Sequence, residues 1–383
     1  TSGPGELRTT GGGIYTVNAA ATSSVMGARL SMVGGKTIQV ADGAADPDLL
    51  ISGPIVGGGA LTKTGPGTLV TSGTNTGSGD INVNEGEVIF TGDNSGRTGG
   101  TALNGTILNI ASLSDAALGS GFLALNNGTL NYTGTGSETT TRLLWVDQGS
   151  GTFNIVDAGG SLTFNPAGGA VNMAVIKEGA GRLVLQGPLT GAASVTVDGG
   201  RLDLDGANTH TGDTTVNTGA TLVMAGPTLG DESTVNINGT GVIDLDYVGS
   251  DTVMALLIDG VPQANGTYGA TGSGADNIDD VHFSGTGVLT VGDDYDLWAI
   301  GFGLDPDTDG AMGANPDGDR YDNGHEYAFA MNPNVASTRA IFASLDPVTG
   351  TFSYTRRDPA LTNLTYTYEW STTLDPTLWT AFT

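Results

Sequence analysis

One stretch of this chain is written twice, and a duplication constrains the architecture before any single residue does. The first copy begins Leu61-Thr62-Lys63-Thr64-Gly65-Pro66-Gly67-Thr68-Leu69 and passes through Gly73-Thr74-Asn75-Thr76-Gly77. It ends Ile81-Asn82-Val83-Asn84-Glu85-Gly86-Glu87-Val88-Ile89-Phe90. The second begins Ile176-Lys177-Glu178-Gly179-Ala180-Gly181-Arg182-Leu183 and continues through Asn208-Thr209-His210-Thr211-Gly212 to Val216-Asn217-Thr218-Gly219. Both copies alternate short apolar strands with glycine- and asparagine-bearing corners.

The same grammar runs from about residue 58 to 291 as apolar pairs at i and i+2. Ile81/Val83, Leu108/Ile110, Leu123/Leu125, Phe153/Ile155, Leu183/Leu185, Leu202/Leu204 and Leu289/Val291 are examples. A spacing of two puts both side chains on one face of a strand. The corners read Val83-Asn84-Glu85-Gly86, Leu125-Asn126-Asn127-Gly128, Val197-Asp198-Gly199-Gly200 and Ile237-Asn238-Gly239. Asn, Asp and Gly tolerate the positive φ that a sharp corner needs. Strands this short do not make an ordinary sandwich, but stacked rungs can share one interior. The expected fold is all-β, a parallel β-helix or solenoid rod. With roughly 20–25 residues per rung and about 4.8 Å between rungs, the rod has on the order of a dozen rungs and a length near ~60 Å. Residues 1–57 show the pattern weakly, with strands at Ile14–Val17 and Thr37–Val40, and are expected to form N-terminal rungs or a cap.

Composition narrows the function classes. The chain has 64 glycines among 383 residues, and without a Gly-X-Y period this excludes collagen. A formal charge of −27 makes nucleic acid and anionic membranes poor partners and divalent cations good ones. There is no cysteine, hence no disulfide or thiolate chemistry. No window has the run of ~18 apolar residues that marks a transmembrane segment. The opening Thr1-Ser2-Gly3-Pro4 carries no signal-peptide pattern, and the chain stops at Trp379–Thr383 inside what reads as a strand. A piece of a longer, processed precursor is expected.

The run Leu61–Leu69 followed by Ser72-Gly73-Thr74-Asn75-Thr76-Gly77 resembles the autotransporter-associated β-strand (passenger-associated) repeat. The second copy departs from that pattern by an insertion at Pro188–Asp205, which reads as an extra rung. His210 stands where the repeat usually has an aromatic residue. The resemblance covers about 58–245 and implies a secreted, surface-associated β-helix, not an enzyme. Residues 247–291 resemble the closing piece of large secreted repeat proteins of the Verrucomicrobia and Planctomycetes type. There Val253–Pro262 reads as a strand pair, Asn265–Ala270 as a turn and Phe283–Val291 as a last strand.

At Gly292 the grammar changes. Tyr295–Phe302 reads as a short helix, followed by Asp305-Pro306-Asp307-Thr308-Asp309-Gly310 and Asn315-Pro316-Asp317-Gly318-Asp319-Arg320-Tyr321-Asp322-Asn323-Gly324-His325-Glu326. A second helix, Glu326–Met331, stops at Asn332-Pro333. The second acidic run fits a twelve-residue EF-hand loop. Asn315, Asp317, Asp319 and Asn323 fall at ligand positions, the Tyr321 carbonyl sits between them, and Glu326 closes the loop. Two departures stand out: Asn rather than Asp at the first position, and Arg320 where glycine is expected for the turn. Asp305, Asp307 and Asp309 are expected to share one or two ions with it, as in thrombospondin type 3 or dockerin-like modules, which the region resembles. The expected cofactor is Ca2+. Residues 340–383 alternate again, at Ile341–Leu345, Phe352–Thr355 and Thr365–Trp370, as a partial β-sandwich.

The expected boundaries are 1–57 for N-terminal rungs, 58–246 for the repeats, 247–292 for the closing segment, 293–335 for the calcium module and 336–383 for the sandwich piece. Catalytic motifs are missing. His210, His282 and His325 are scattered and read as surface or corner residues. Asp203/Asp205 and Asp244/Asp246 alternate with inward leucines and isoleucine and so read as an outward, solvated face, with Arg182 and Arg201 near. Lys63 and Lys177 recur at one repeat position, which suggests a carbonyl-bonding role at a corner. The reading is a non-enzymatic, extracellular structural or adhesive protein of a bacterial cell surface. Self-association end to end or by strand exchange into a filament is expected, and glycans or other surface proteins are further partners. The alternatives are a polysaccharide-binding or -cleaving β-helix and a passive stalk.

Overall fold

Twelve short strands lie one above another in parallel, and their stacking makes the long first part of the molecule. The structure is a computed structural model. It describes residues 5–9, 12–166, 168–292, 294–306, 308–337, 348–349, 353–357, 364, 366–367, 369–370 and 380–381. The chain divides into two compact units, Thr1–Val291 and Gly292–Thr383.

The first unit is a parallel β-solenoid. Its longest sheet has 13 strands, from Ser24–Met26 to Val261–Pro262; only the last is antiparallel, which leaves 12 stacked rungs. A sheet of eight strands runs from Gly13–Val17 to Gly169–Val171. The third place in each turn is taken by Glu6–Thr9, Arg29–Met32 and Ile55–Gly57 at the start, and by seven strands from Ser137–Thr140 to Phe283–Gly285 later. The expected inward pairs point inward: Leu108, Leu130 and Phe153 follow one another in one buried column, which continues past Lys177 with Val197 and Val216. A single rung cannot cover its own inward aliphatics, so the rungs above and below complete their burial.

The corners depend on backbone conformations few residues tolerate. Gly86 has φ +67, and a Cβ there would stand 2.8 Å from the ammonium nitrogen of Lys63. At Leu125-Asn126-Asn127-Gly128 the positive φ falls instead on Asn127, at 54, and glycine at 128 serves space, since a Cβ there would press into Leu103.

All three lysines of the sequence are buried in this unit. Lys63 and Lys177 stand in aliphatic columns, in register with Ile38 and Val83 and with Phe153 and Val197. Each side chain runs along the interior and delivers its ammonium group to a corner. Lys63 Nζ donates to the carbonyls of Thr64 at 3.1 Å, Gly65 at 2.5 Å and Glu85 at 3.1 Å. Lys177 Nζ donates to those of Glu178 at 2.6 Å, Gly179 at 2.9 Å and Gly199 at 3.1 Å. Three N–H donors meet three carbonyls, two from the corner itself and one from the next rung. The two copies do this on different faces: Lys63 lies in the eight-stranded sheet and Lys177 in the longest one. The repeat has therefore moved round the rod by one face, and the insertion after Pro188 forms the expected rung, with strands Val195–Val197 and Arg201–Leu204.

A second buried device ties neighbouring rungs through side-chain oxygens. The side-chain oxygens of Asn75, Asn208 and Asp251 accept from the backbone N–H of Ile55, Leu189 and Leu229, one rung earlier. Two buried arginines act similarly. Arg97 donates to Thr101 Oγ1, to the Leu118 carbonyl and to the Gly100 carbonyl. Arg142 donates to the carbonyls of Leu113, Gly119 and Gly121.

At its far end the parallel stack stops. Ala255–Ile258 and Val261–Pro262 form the expected strand pair, and it is antiparallel. Gly266–Gly269, expected as a turn, is instead a strand paired antiparallel with Val288–Val291. Reversing direction here gives the last rung's backbone groups partners that another parallel turn would otherwise supply.

In the second unit, the helices Asp294–Gly301 and Asn323–Ala328 carry Tyr295, Trp298 and Tyr327 into a small core. The Arg357 guanidinium lies 4.4 Å from the Tyr327 ring centre. Glu369–Trp370 pairs antiparallel with Thr380–Ala381. The sandwich strand expected at Ile341–Leu345 lies outside the described residues, as do Phe352, Thr365 and Tyr368.

Replacing Lys177 by Met keeps the apolar stem and removes all three donors. Leaving buried carbonyls unbonded is expected to cost about 2–4 kcal/mol, seen as a lower urea midpoint for the solenoid; an unchanged midpoint contradicts the corner role. Burial pushes both ammonium groups down to about 8. Unfolded lysine keeps its proton to about pH 10.4, so between these values the unfolded chain binds more protons and this contribution to stability rises with pH. Side-chain NMR should find Lys63 and Lys177 titrating near pH 8; titration of both near the unfolded value would refute it.

Candidate functional site

The acidic loop of the second unit folds through its own side chains. Asn315 Oδ1 accepts from Gly318 N at 2.9 Å, and its amide donates to the Asp319 carbonyl at 2.8 Å. Asp317 Oδ1 accepts from Asp319 N at 3.1 Å, and Asp319 Oδ1 from Tyr321 N at 2.6 Å. The left-handed residue of the turn is Gly318, with φ +71, so glycine is not needed where Arg320 stands. Arg320 instead stacks on Tyr321, 4.8 Å from the ring centre. Asp322 caps the following helix by accepting from His325 N, which places Glu326 in the first turn with its side chain pointing back to the loop.

The loop brings three carboxylates together. Asp317, Asp319 and Glu326 each offer an oxygen, all within 4.8 Å of one another. Glu326 is fully buried, and neither of its carboxylate oxygens has a hydrogen-bond partner among the described residues. Asp317 Oδ2 and Asn323 Oδ1 are likewise buried without one. Burial, reinforced by the charges of Asp317, Asp319 and Asp322, pushes the Glu326 carboxyl up to about 7. Buried oxygens without donors are costly unless something positive meets them, and a hard divalent cation fits this set.

The remaining expected ligands stand differently. The Asn323 amide nitrogen binds the carbonyls of Asp309 and Ala311, at 2.8 and 3.1 Å, and so ties the two acidic runs together. Asp309 Oδ1 accepts from Asp305 N at 2.8 Å, closing the first run on itself. Neither Asp305 nor Asp309 joins the three-carboxylate group, and Asp307 lies outside the described residues.

On the solenoid, Asp203 corrects the expectation of a solvated acidic face. Its register is outward, between Val184 and Val223, yet its side chain is only 3% exposed beneath two half-exposed guanidiniums. Arg182 Nε donates to Oδ2 at 3.0 Å and Arg201 Nε to Oδ1 at 2.6 Å. Both oxygens are occupied, so this carboxylate is a tie between rungs rather than an acid or a base.

The histidines are not merely scattered surface residues. His210 is buried, and neither ring nitrogen has a partner among the described residues. Burial holds it below the ordinary imidazole range. His282 Nδ1 lies 2.6 Å from Asp279, and Nε2 lies 3.2 Å from the Gly239 carbonyl. His325 Nδ1 lies 2.6 Å from Asp322. The i, i+3 Asp–His spacing of the last two was the sequence signal for these pairs.

Comparison with known proteins agrees with the solenoid's own repeat. The Passenger-associated-transport-repeat family matches residues 61–89, 175–204 and 197–224. A stretch of 170 residues is 38% identical to the protein named Adhesin BmaC autotransporter of Brucella suis biovar 1 (strain 1330). That stretch is 43% of this chain and 4% of the adhesin, so the chain corresponds to a small part of that protein's length. No solved structure matches the chain.

His210 generates a pH prediction. Its folded pKa is depressed, whereas unfolded histidine takes up a proton near pH 6.5, so this contribution to stability is lost as pH falls below about 6.5. His210→Phe, which removes two unpaired buried nitrogens, should be at least as stable at pH 7.5 and should lose less stability on going to pH 5. Equal acid sensitivity of the two proteins in denaturant melts would show that His210 is not responsible.

Proposed function

We propose that this chain is part of an extracellular, non-catalytic adhesin-like rod at a bacterial cell surface, with calcium bound at Asp317, Asp319 and Glu326. The observation that carries the reading is the repeat-built solenoid together with its likeness to a stretch of an adhesin. Its polar interior groups support a mechanical role. The buried lysines, arginines and asparagines spend most of their hydrogen bonds on backbone of the same or adjacent rungs, so the interior builds length and leaves recognition to the exterior. Two of the groups that would serve an enzyme reading are engaged: Asp203 by two arginines, and His282 through both ring nitrogens. Self-association of rods is a natural extension of this reading.

For calcium, Asp317, Asp319 and Glu326 would supply carboxylate oxygens, with Asn323 Oδ1 and the Tyr321 carbonyl completing the set. Calcium takes about six to eight oxygens, and the remainder would be water. Bound there, it would neutralise three crowded carboxylates and hold the loop to the helix Asn323–Ala328.

Two measurements test the two halves separately. Beads coated with the chain should be retained under flow on cell- and polysaccharide-coated surfaces several-fold more than albumin-coated beads; equal retention removes the adhesive reading. Millimolar calcium should raise the melting temperature of the second unit by several degrees over EDTA, and Glu326→Gln should abolish that shift. A melting temperature indifferent to EDTA would remove the calcium assignment and leave the adhesive reading untouched.

A further inference from the structure

The helix Asn323–Ala328 has six residues, too few to hold together alone in water. Its first turn is held by the acidic loop, through the Asp322 cap and the buried side chain of Glu326. Its last turn is held by a later part of the chain. The Ala328 carbonyl, at the end of the helix, has no partner within it. It accepts instead from Arg357 N at 3.1 Å and from the Tyr366 hydroxyl at 2.6 Å. On one side of Ala328, the Tyr327 ring faces the Arg357 guanidinium, which also lies 5.9 Å from the Trp298 ring centre. On the other, Phe329 meets Tyr354 and Tyr366 edge-on, with ring centres 6.2 and 6.4 Å away.

A second connection starts from the loop itself. Asp319 Oδ2 accepts from Ser337 N at 2.7 Å, where the chain has already left the helix. A carboxylate oxygen has more than one acceptor site, so this bond leaves Asp319 able to meet a cation as well. Glu326, Tyr327 and Ala328 are thus consecutive residues with different duties. The first points into the carboxylate group, and the other two hold Arg357 and Tyr366. Without a cation, three carboxylates crowd together and both Glu326 oxygens are buried with no partner among the described residues. Relieving that strain means moving the first turn of the helix. In a helix this short, the first turn does not move without the last.

We infer that cation occupancy at Asp317, Asp319 and Glu326 controls the docking of the segment around Arg357 and Tyr366 onto the helix Asn323–Ala328. The inference rests on the calcium assignment proposed above and adds what the ion regulates. The ion does not need to touch either residue. It acts by fixing a helix whose last turn carries their contacts. Linkage is reciprocal, so docking of the segment must raise the affinity of the site by the factor that occupancy raises docking. Arg357 and Tyr366 are therefore positioning residues for the cation site, and the cation is the fastener of their segment.

Hydrogen exchange of the full chain in millimolar calcium and in EDTA tests the inference. Calcium should slow exchange at the amides of Thr355, Arg356 and Arg357 by about fivefold or more, and leave Thr214–Val216 of the solenoid unchanged. Glu326→Gln should abolish the slowing. Titration calorimetry with calcium supplies the reciprocal measurement. Arg357→Gln, which changes no ligand, should weaken calcium binding by about fivefold or more. Tyr366→Phe keeps the ring, removes one hydrogen bond to Ala328 and should weaken binding in the same direction by a smaller factor. It carries the test if Arg357→Gln does not fold. Exchange at Thr355–Arg357 that ignores calcium, or that is still slowed in Glu326→Gln, overturns the inference. So does wild-type calcium affinity in the folded variants. If calcium binds the wild type and raises its melting temperature without slowing this exchange, only the coupling fails and the calcium assignment stands. If calcium does not bind the wild type, that assignment fails and the coupling with it.

Discussion

The solenoid depends on how it turns corners. Every rung must change direction at each corner, and a corner turns backbone carbonyls away from strand partners. A buried ammonium group answers this at two equivalent corners. Lys63 and Lys177 each collect three carbonyls, one of them from the following rung, while their stems fill an aliphatic column. The same group thus closes a corner and ties two rungs. Gly86 is part of this device, because both its conformation and the space beside the ammonium group exclude a side chain. Taking a charge out of water is costly, and the arrangement is tolerable only because every donor is matched.

This solution separates structure from recognition. The interior uses its polar groups on backbone, and the exterior is left free. Where exterior groups do interact strongly, as at Asp203 between Arg182 and Arg201, they link rungs. What remains for recognition is the exterior of the rungs and, in the second unit, the carboxylates of Asp317, Asp319 and Glu326. The logic there is opposite to that of the lysine corners. At the corners a buried charge has all its partners, whereas Glu326 has two buried oxygens with none among the described residues. The first arrangement reads as architecture and the second as a site for a cation.

Much of the fold was legible because period-two pairs and glycine corners leave few alternatives. The lysine role was legible because the residue recurred at one repeat position. Other features had no local signal. Arg97 and Arg142 look like ordinary surface arginines until their carbonyl partners, about one rung away in sequence, are brought beside them. Asp203 alternates with inward leucines as an exposed residue should, and only its neighbours in register show that it is covered. The strand Gly266–Gly269 read as a turn because Asn-Gly signals reversal, and the antiparallel closure was a tertiary demand. In the acidic loop the carboxylate spacing pointed to the residues that meet, but the glycine that makes the turn is Gly318.

The most direct test of this account is residue-resolved hydrogen exchange on the native chain and on Lys63→Met. If corner ammonium groups hold adjacent rungs together, amides between Leu61 and Phe90 lose protection. Those of distant rungs such as Thr214–Val216 and Val242–Leu245 keep theirs, since each rung contacts only its neighbours. Unchanged protection around Leu61–Phe90, or an even loss along the whole rod, would contradict it.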